Sequence, residues 1–328
     1  MIICCGENLI DMVPIVGVAN TPYGCFKVAP GGCPYNSAIA AARLGAEVAF
    51  LGKIASDFLG EKLYGRLAGN GVRTQLIRRA PQPVTLAFVE RSPTGENNYA
   101  FYAENAADRS LLPTDLPASL PAAAHFLLAG SISMVLEPAA STIGALIRRE
   151  CTGANPHILL SYDPNVRPSL IADKAAFKRD FESLCSASAI IKASDSDLAW
   201  IYDYAEIDTQ LDSIVSRLLE LGASVVFLTR GEKGCVAASH VARVACEAEK
   251  VKVVDTIGAG DTFHAAIVAA LDTMGIWTKA QLETLDAAAL TRLARFAQAA
   301  SAINCTREGA DPPTREELAT QYPGLAIL

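Results

Sequence analysis

Short continuous apolar runs fall at residues 1–5, 48–54, 125–129, 158–162, 189–192 and 225–229. A run that does not alternate with polar positions is the mark of a strand buried on both faces. Between these runs, apolar positions recur with helical spacing over 34–44, 59–68, 137–149, 174–184 and 211–221. Strands alternating with helices predict right-handed βαβ crossovers, and so an α/β fold whose central, mostly parallel sheet is flanked by helices on both faces. Ligands of such sheets sit beyond the carboxyl ends of the strands.

Two stretches break the rhythm. Residues 9–29 and 83–103 carry turn residues (Pro14, Pro22, Gly24; Pro93, Gly95) and few helix signals, so they read as short β segments. We expect both to leave the main sheet and pair as a small β-sheet lid, within a single domain spanning 1–328. Residues 251–254 look like one more strand, and 258–275, 279–304 and 314–320 read as closing helices. There is no internal repeat.

Composition narrows the picture. With 51% hydrophobic and 19% charged residues, 328 residues suffice for a well-buried core. A net charge of −7 and a pI near 5.2 argue against nucleic acid or an anionic membrane as a partner. No apolar run reaches spanning length, and Met1 to Glu7 lacks the basic region of a signal peptide, so a cytoplasmic location is expected. Nine cysteines without a C-x-x-C read as buried thiols. His125, His157, His240 and His264 show no ligand spacing, so no zinc site is expected.

The chemistry concentrates in Asp255-Thr256-Ile257-Gly258-Ala259-Gly260-Asp261-Thr262, which runs into an apolar helix. Amides at a helix head have no partner inside the helix and attract anions, phosphate above all. A carboxylate, Asp261, stands in that same turn. Donors that neutralise a migrating phosphoryl group beside an acceptor for a hydroxyl proton are what phosphoryl transfer to an alcohol needs. The same turn also serves as plain helix capping. Near the other end, Pro30-Gly31-Gly32-Cys33-Pro34-Tyr35-Asn36 opens a second apolar helix; its bare glycine backbone and the Asn36 amide suit a polyhydroxylated ligand, or a structural turn. Asp11, after Gly6-Glu7-Asn8-Leu9-Ile10, is placed to hold adjacent hydroxyls, and Asp57 to cap a helix. Asp163-Pro164-Asn165-Val166-Arg167 ends a strand, with Arg167 a candidate phosphate clamp or loop ion pair. No G-x-x-x-x-G-K-[ST] occurs, and no G-x-G-x-x-G follows the first strand.

Together these residues resemble the ribokinase-like, or PfkB-type, carbohydrate kinase family. The Asp255–Ala266 run is similar to its C-terminal signature, and Gly31-Gly32-x-Pro34-x-Asn36, with Gly45, Gly52 and Gly60, to its N-terminal one. The Gly6–Asp11 opening, Asp163-Pro164-Asn165-x-Arg167 and Asn304–Ala310 resemble the fructokinase branch most. The resemblance implies a kinase that uses MgATP to phosphorylate a sugar, most readily O6 of fructose. It implies Asp261 as catalytic base, with Gly258, Ala259 and Gly260 as anion hole. Sugar-binding positions are then Asp11, Gly31, Gly32, Asn36, Phe101, Asn165 and Arg167. The nucleotide side takes Lys192, Thr229, Gly231, Ile257, Ala302 and Cys305. Asp197 becomes a magnesium candidate acting through water, and Asp255 marks the region of a possible potassium site. The helix head is expected to lower the pKa of Asp261.

The chain departs from the pattern in two places. Ser194-Asp195-Ser196-Asp197 stands where an Asn-x-x-Glu is common, and Ala103 follows Phe101-Tyr102 where many fructokinases have arginine, with Arg109 nearby as a substitute. A 2-keto-3-deoxygluconate kinase, a nucleoside kinase with Tyr23, Phe26, Phe88 and Tyr99 stacking on a base, and a non-catalytic sensor stay open beside fructokinase. A lid edge is also a candidate homodimer contact.

Overall fold

The computed structural model describes residues 1–15, 25–91, 97–152 and 156–325. Pro22, Tyr23, Gly24, Pro93 and Gly95 lie outside the described residues. In chain order the first half forms β1 (Ile2–Cys5), β2 (Leu9–Pro14), β3 (Phe26–Gly31), α1 (Cys33–Arg43), β4 (Val48–Ala55), α2 (Phe58–Gly69), β5 (Ile77–Ala80), β6 (Thr85–Arg91) and β7 (Asn97–Tyr102). It continues with β8 (Phe126–Gly130), α3 (Ala139–Cys151), β9 (Leu159–Asp163), α4 (Lys174–Ala187), β10 (Ile190–Ser194), α5 (Asp195–Tyr202), α6 (Leu211–Leu221), β11 (Val225–Thr229), β12 (Cys235–Ser239) and β13 (Arg243–Cys246). Helices α7 (Ala259–Thr273), α8 (Lys279–Glu283), α9 (Ala287–Cys305) and α10 (Arg315–Gln321) close the chain.

Among the described residues, one sheet holds nine strands in the order β13-β12-β11-β10-β9-β8-β1-β4-β5. From β5 to β11 all neighbours are parallel, and β12 and β13 add an antiparallel hairpin at the edge. This is the α/β fold the apolar runs predicted. Period-two alternation sends Ile2 and Cys4 into a core shared with α1, α7 and α9, and Ile3 and Cys5 into one shared with α3, α4 and α6. Strand order reverses between β1 and β8, which opens a crevice at their carboxyl ends.

The two excursions pair with each other in a four-stranded sheet, β3-β2-β6-β7. Register puts Asp11 beside Ala29 and Ala87, and Ala87 beside Phe101, all on one face. Met12, Val28 and Phe88 share the other face.

Some local expectations fail for physical reasons. Residues 251–254 form no strand; Val254 donates to the Cys305 carbonyl (2.8 Å), so the segment crosses the end of α9 instead of joining the sheet. The stretch 279–304 is two helices, because Asp286 accepts from Ala289 N (2.8 Å) and starts α9 afresh. Helix α5 was not foreseen: Ser194 and Asp197 form a reciprocal capping box in a stretch that reads as loop. Asp57 does cap α2, accepting from Gly60 N at 2.7 Å.

Candidate active site

The ends of β1 and β8 and the heads of α1 and α7 converge under the small sheet. The cleft between them is bordered by Glu7, Asp11, Asn36, Phe101, Arg167 and Asp261, among others. Gly31 does not border it; an added Cβ there would collide with the Asp11 carboxylate.

Helix α7 is buried along Asp261–Leu271, wedged between α1 and α9, so its head is held rigidly. Gly258 starts it with φ +75°, and a Cβ there would lie 2.6 Å from Ala310 Cβ. Only glycine fits, and at the head of the helix Ala259 N donates to the Thr256 carbonyl at 3.2 Å. Asp261 in that turn is 8% exposed and accepts from Asn36 Nδ2 at 2.8 Å. Asn36 thereby fixes its own orientation: its other atom, Oδ1, is buried without a hydrogen-bond partner. The Cys33 thiol, at the start of α1, lies within 4.8 Å of the Asp261 carboxylate. Burial raises the pKa of Asp261 by more than Asn36 and Cys33 lower it. The expected downward shift at the helix head is therefore overturned; desolvation dominates.

Further groups support this centre, and among them the roles of Glu7 and Ser133 were not read from the motifs. Glu7 bridges three elements, accepting from Cys33 N (3.0 Å) and from the Ser133 hydroxyl, with burial raising its pKa to about 7. Gly32 has φ +109°, and a Cβ would stand 2.8 Å from the Glu7 carbonyl, so this contact needs glycine. Lys192 and Asp163 pair at 2.8 Å, both nearly fully buried, and the Lys192 Nζ lies 3.0 Å from where a Gly260 Cβ would be. Burial opposes charge on Lys192, but Asp163 and Asp197 raise its pKa overall and keep it cationic. A fixed positive charge thus stands beside the anion-attracting amides.

On the small sheet, Asp11 is 6% exposed, and burial raises its pKa to about 7 while Arg167 pulls it down. Arg167 is anchored by the Asn165 side chain (2.7 Å) and lies over the Tyr99 ring at 5.1 Å. Tyr99 and Phe101 stack at 5.8 Å. Ile257, placed by resemblance on the nucleotide side, borders this cleft and packs with Val13 and Val89 of the small sheet.

The remaining expected positions do not border the cleft. Thr229 donates to the Ala193 carbonyl (3.3 Å), and Gly231 opens a turn with nothing within 4 Å of an added Cβ. Ala302 and Cys305 lie on the last turns of α9, next to the 254–257 segment. Asp197 turns its carboxylate inward, accepting from Val166 N (2.8 Å) and Ser194 N (3.0 Å). Asp255 ties Ile257 N and Gly309 N together, each at 3.1 Å. Arg109 reaches the carbonyls of Ala103 (3.4 Å) and Glu137 (3.2 Å) and does not border the cleft. His264 is buried against Ser161 Oγ at 2.5 Å, and burial lowers its pKa to about 3, so it is neutral.

A family model described as pfkB family carbohydrate kinase matches residues 1–317. A fructokinase of Rhizobium leguminosarum bv. trifolii is 38% identical over 292 residues, covering 88% of this chain and 85% of that protein. Fructokinase-2 of Solanum lycopersicum is 37% identical over 331 residues, covering 99% and 97%. Among solved structures, the fructokinase of Xylella fastidiosa with bound ATP superimposes with a TM-score of 0.83 at 27% identity, over 97% of both chains.

Proposed function

The chain belongs to the pfkB family of carbohydrate kinases, and from that premise we propose that it transfers the γ-phosphoryl group of ATP to O6 of fructose. The relatives named above support the substrate pair. One observation carries the mechanism: a buried carboxylate, Asp261, held by Asn36 in the first turn of α7, with Asn36 Oδ1 left as a buried, unpaired acceptor.

In this reading the sugar lies between Asp11 and Phe101 above and Glu7 and Asn36 below. Its reacting hydroxyl meets Asp261, and a second hydroxyl donates to Asn36 Oδ1. The amides of Gly258, Ala259 and Gly260 receive the migrating phosphoryl group, with Lys192 adding charge from below. In a loose transition state the attacking oxygen sheds its proton late, so Asp261 acts mainly by orientation. Its raised pKa brings it nearer neutrality, which favours accepting that proton. Arg167 holds the Asp11 side of the sugar.

Magnesium, when bound with the nucleotide, neutralises phosphate charge. Asp197, which also caps α5, would hold the ion through water. For a monovalent cation the buried, unpartnered Asn304 Oδ1 next to the 255–258 turn is a fitting oxygen; activity compared in potassium and sodium salts tests it. We also propose that the outer face of the small sheet joins two copies. Phe26, Val28 and Tyr102 are 41%, 47% and 65% exposed there, and Phe26–Phe88–Tyr102 form an edge-to-face row. Among the described residues no helix is long and apolar enough to cross a membrane.

The deciding experiment is ADP release measured with fructose, ribose, 2-keto-3-deoxygluconate and adenosine. Fructose should give the highest kcat/KM; turnover confined to another acceptor would replace the substrate, and binding without turnover on any would reject the kinase reading.

A further inference from the structure

Strands β12 and β13 form a two-residue hairpin at the edge of the large sheet, and Cys235 stands directly opposite Cys246. Ser239 N donates to the Ala242 carbonyl at 2.9 Å, which marks the pair next to the turn as hydrogen-bonded. Bonded and non-bonded pairs alternate along an antiparallel ladder. Counting four steps from Ser239 and Ala242 returns a bonded pair at Cys235 and Cys246. Such pairs hold their Cα atoms about 5.5 Å apart, the separation most disulfides have. Opposed residues also project to the same face, and both cysteines lie in the same core cluster.

We propose that Cys235 and Cys246 form a reversible disulfide when the folded protein meets a peroxide, and that closing it weakens nucleotide binding. The second half rests on the kinase reading; the first does not. Cys246 is on the edge strand and 9% exposed, the more accessible of the two. Cys235 opposite it and Arg295 nearby favour its thiolate, whereas burial pushes up Cys4, Cys5, Cys33, Cys151 and Cys185. The Cys246 thiolate attacks one peroxide oxygen and becomes a sulfenic acid, releasing one water once the leaving hydroxide is protonated. The Cys235 sulfur then displaces the sulfenic oxygen as a second water. Two thiols are oxidised by two electrons and one peroxide is reduced.

Closure draws the two Cβ atoms together, since a disulfide spans about 3.8 Å between them. Cys235 follows Gly234 directly, where an added Cβ would already collide with the Cys246 carbonyl. Gly234 closes the turn through Arg230 N to its own carbonyl at 2.8 Å, and that turn carries Gly231. The pull therefore reaches the nucleotide side and leaves the sugar cleft alone.

Full-length protein treated with stoichiometric hydrogen peroxide should lose the mass of two hydrogens, yield a cross-linked peptide joining Cys235 to Cys246, and recover with dithiothreitol. Cys246→Ser and Cys235→Ala should each abolish the cross-link. Linkage through other cysteines, oxygen addition at Cys246 without a link, or an unchanged mass would overturn the site. In cross-linked protein the ATP KM should rise several-fold with the fructose KM unchanged; an unchanged ATP KM would overturn the coupling. If the reduced protein turns over no ATP with any sugar, the kinase reading fails while the mass result still decides the disulfide.

Discussion

The floor of the cleft and the small sheet above it are built on opposite principles. The floor is the end of a parallel sheet and the head of α7, where Asp261, Lys192 and Asp163 are fixed by buried partners. The small sheet has one face on the cleft and one exposed to solvent, and Arg167 meets it by lying over the Tyr99 ring. In the proposed reaction, the groups that must keep their geometry sit in the floor. Those proposed to recognise and cover the ligand sit on a surface with far less packed against it, which is cheaper to move.

The largest test of this division is Asp261→Asn, which should lower kcat by about 10³-fold while leaving sugar affinity within a few-fold, as read by steady-state kinetics and calorimetry. Near-normal turnover would remove Asp261 from the chemistry. Next in size, Lys192→Met strands the buried Asp163 carboxylate and should cost about 3 kcal/mol of stability in urea unfolding, besides slowing turnover. An equal loss from Arg167→Ala would erase the contrast. Arg167→Ala is instead expected to raise the fructose KM about tenfold with little change in melting temperature, since it removes one charged contact from the ligand side. Smaller still is a pH effect. Burial raises the pKa of Asp11 to about 7, so its acceptor form grows as pH rises through that value. The fructose KM should then fall several-fold between pH 6 and 8, and Asp11→Asn should flatten the profile. Smallest for activity is Tyr102→Ser on the outer face: kcat and KM should hold within about twofold while the mass in solution shifts from dimer to monomer.

The floor was the more legible region. Continuous apolar runs marked its strands, and the glycine turns at Gly32 and Gly258 declared themselves because no other residue fits there. Asp261 and Asn36 could be named separately, but their 2.8 Å contact joins residues far apart in the chain, and no local pattern encodes it. The same holds for Lys192 with Asp163 and for Glu7 with Ser133: each half looks ordinary alone. The environment decides what motifs leave open, as at Asp261, where burial outweighs the helix head. At Asp197 the structure adds a role that the motif did not show, since the same carboxylate is the cap that starts α5. Residues 251–254 were misread because short β-like segments depend on which neighbour they find.

A structure of the protein with fructose and a non-hydrolysable ATP analogue tests the central claim most directly. The account predicts the terminal phosphate on the amides of residues 258–260, and O6 about 3 Å from the Asp261 carboxylate, with another hydroxyl on Asn36 Oδ1. A terminal phosphate bound away from the head of α7, or a sugar whose hydroxyls miss Asp261, would contradict it.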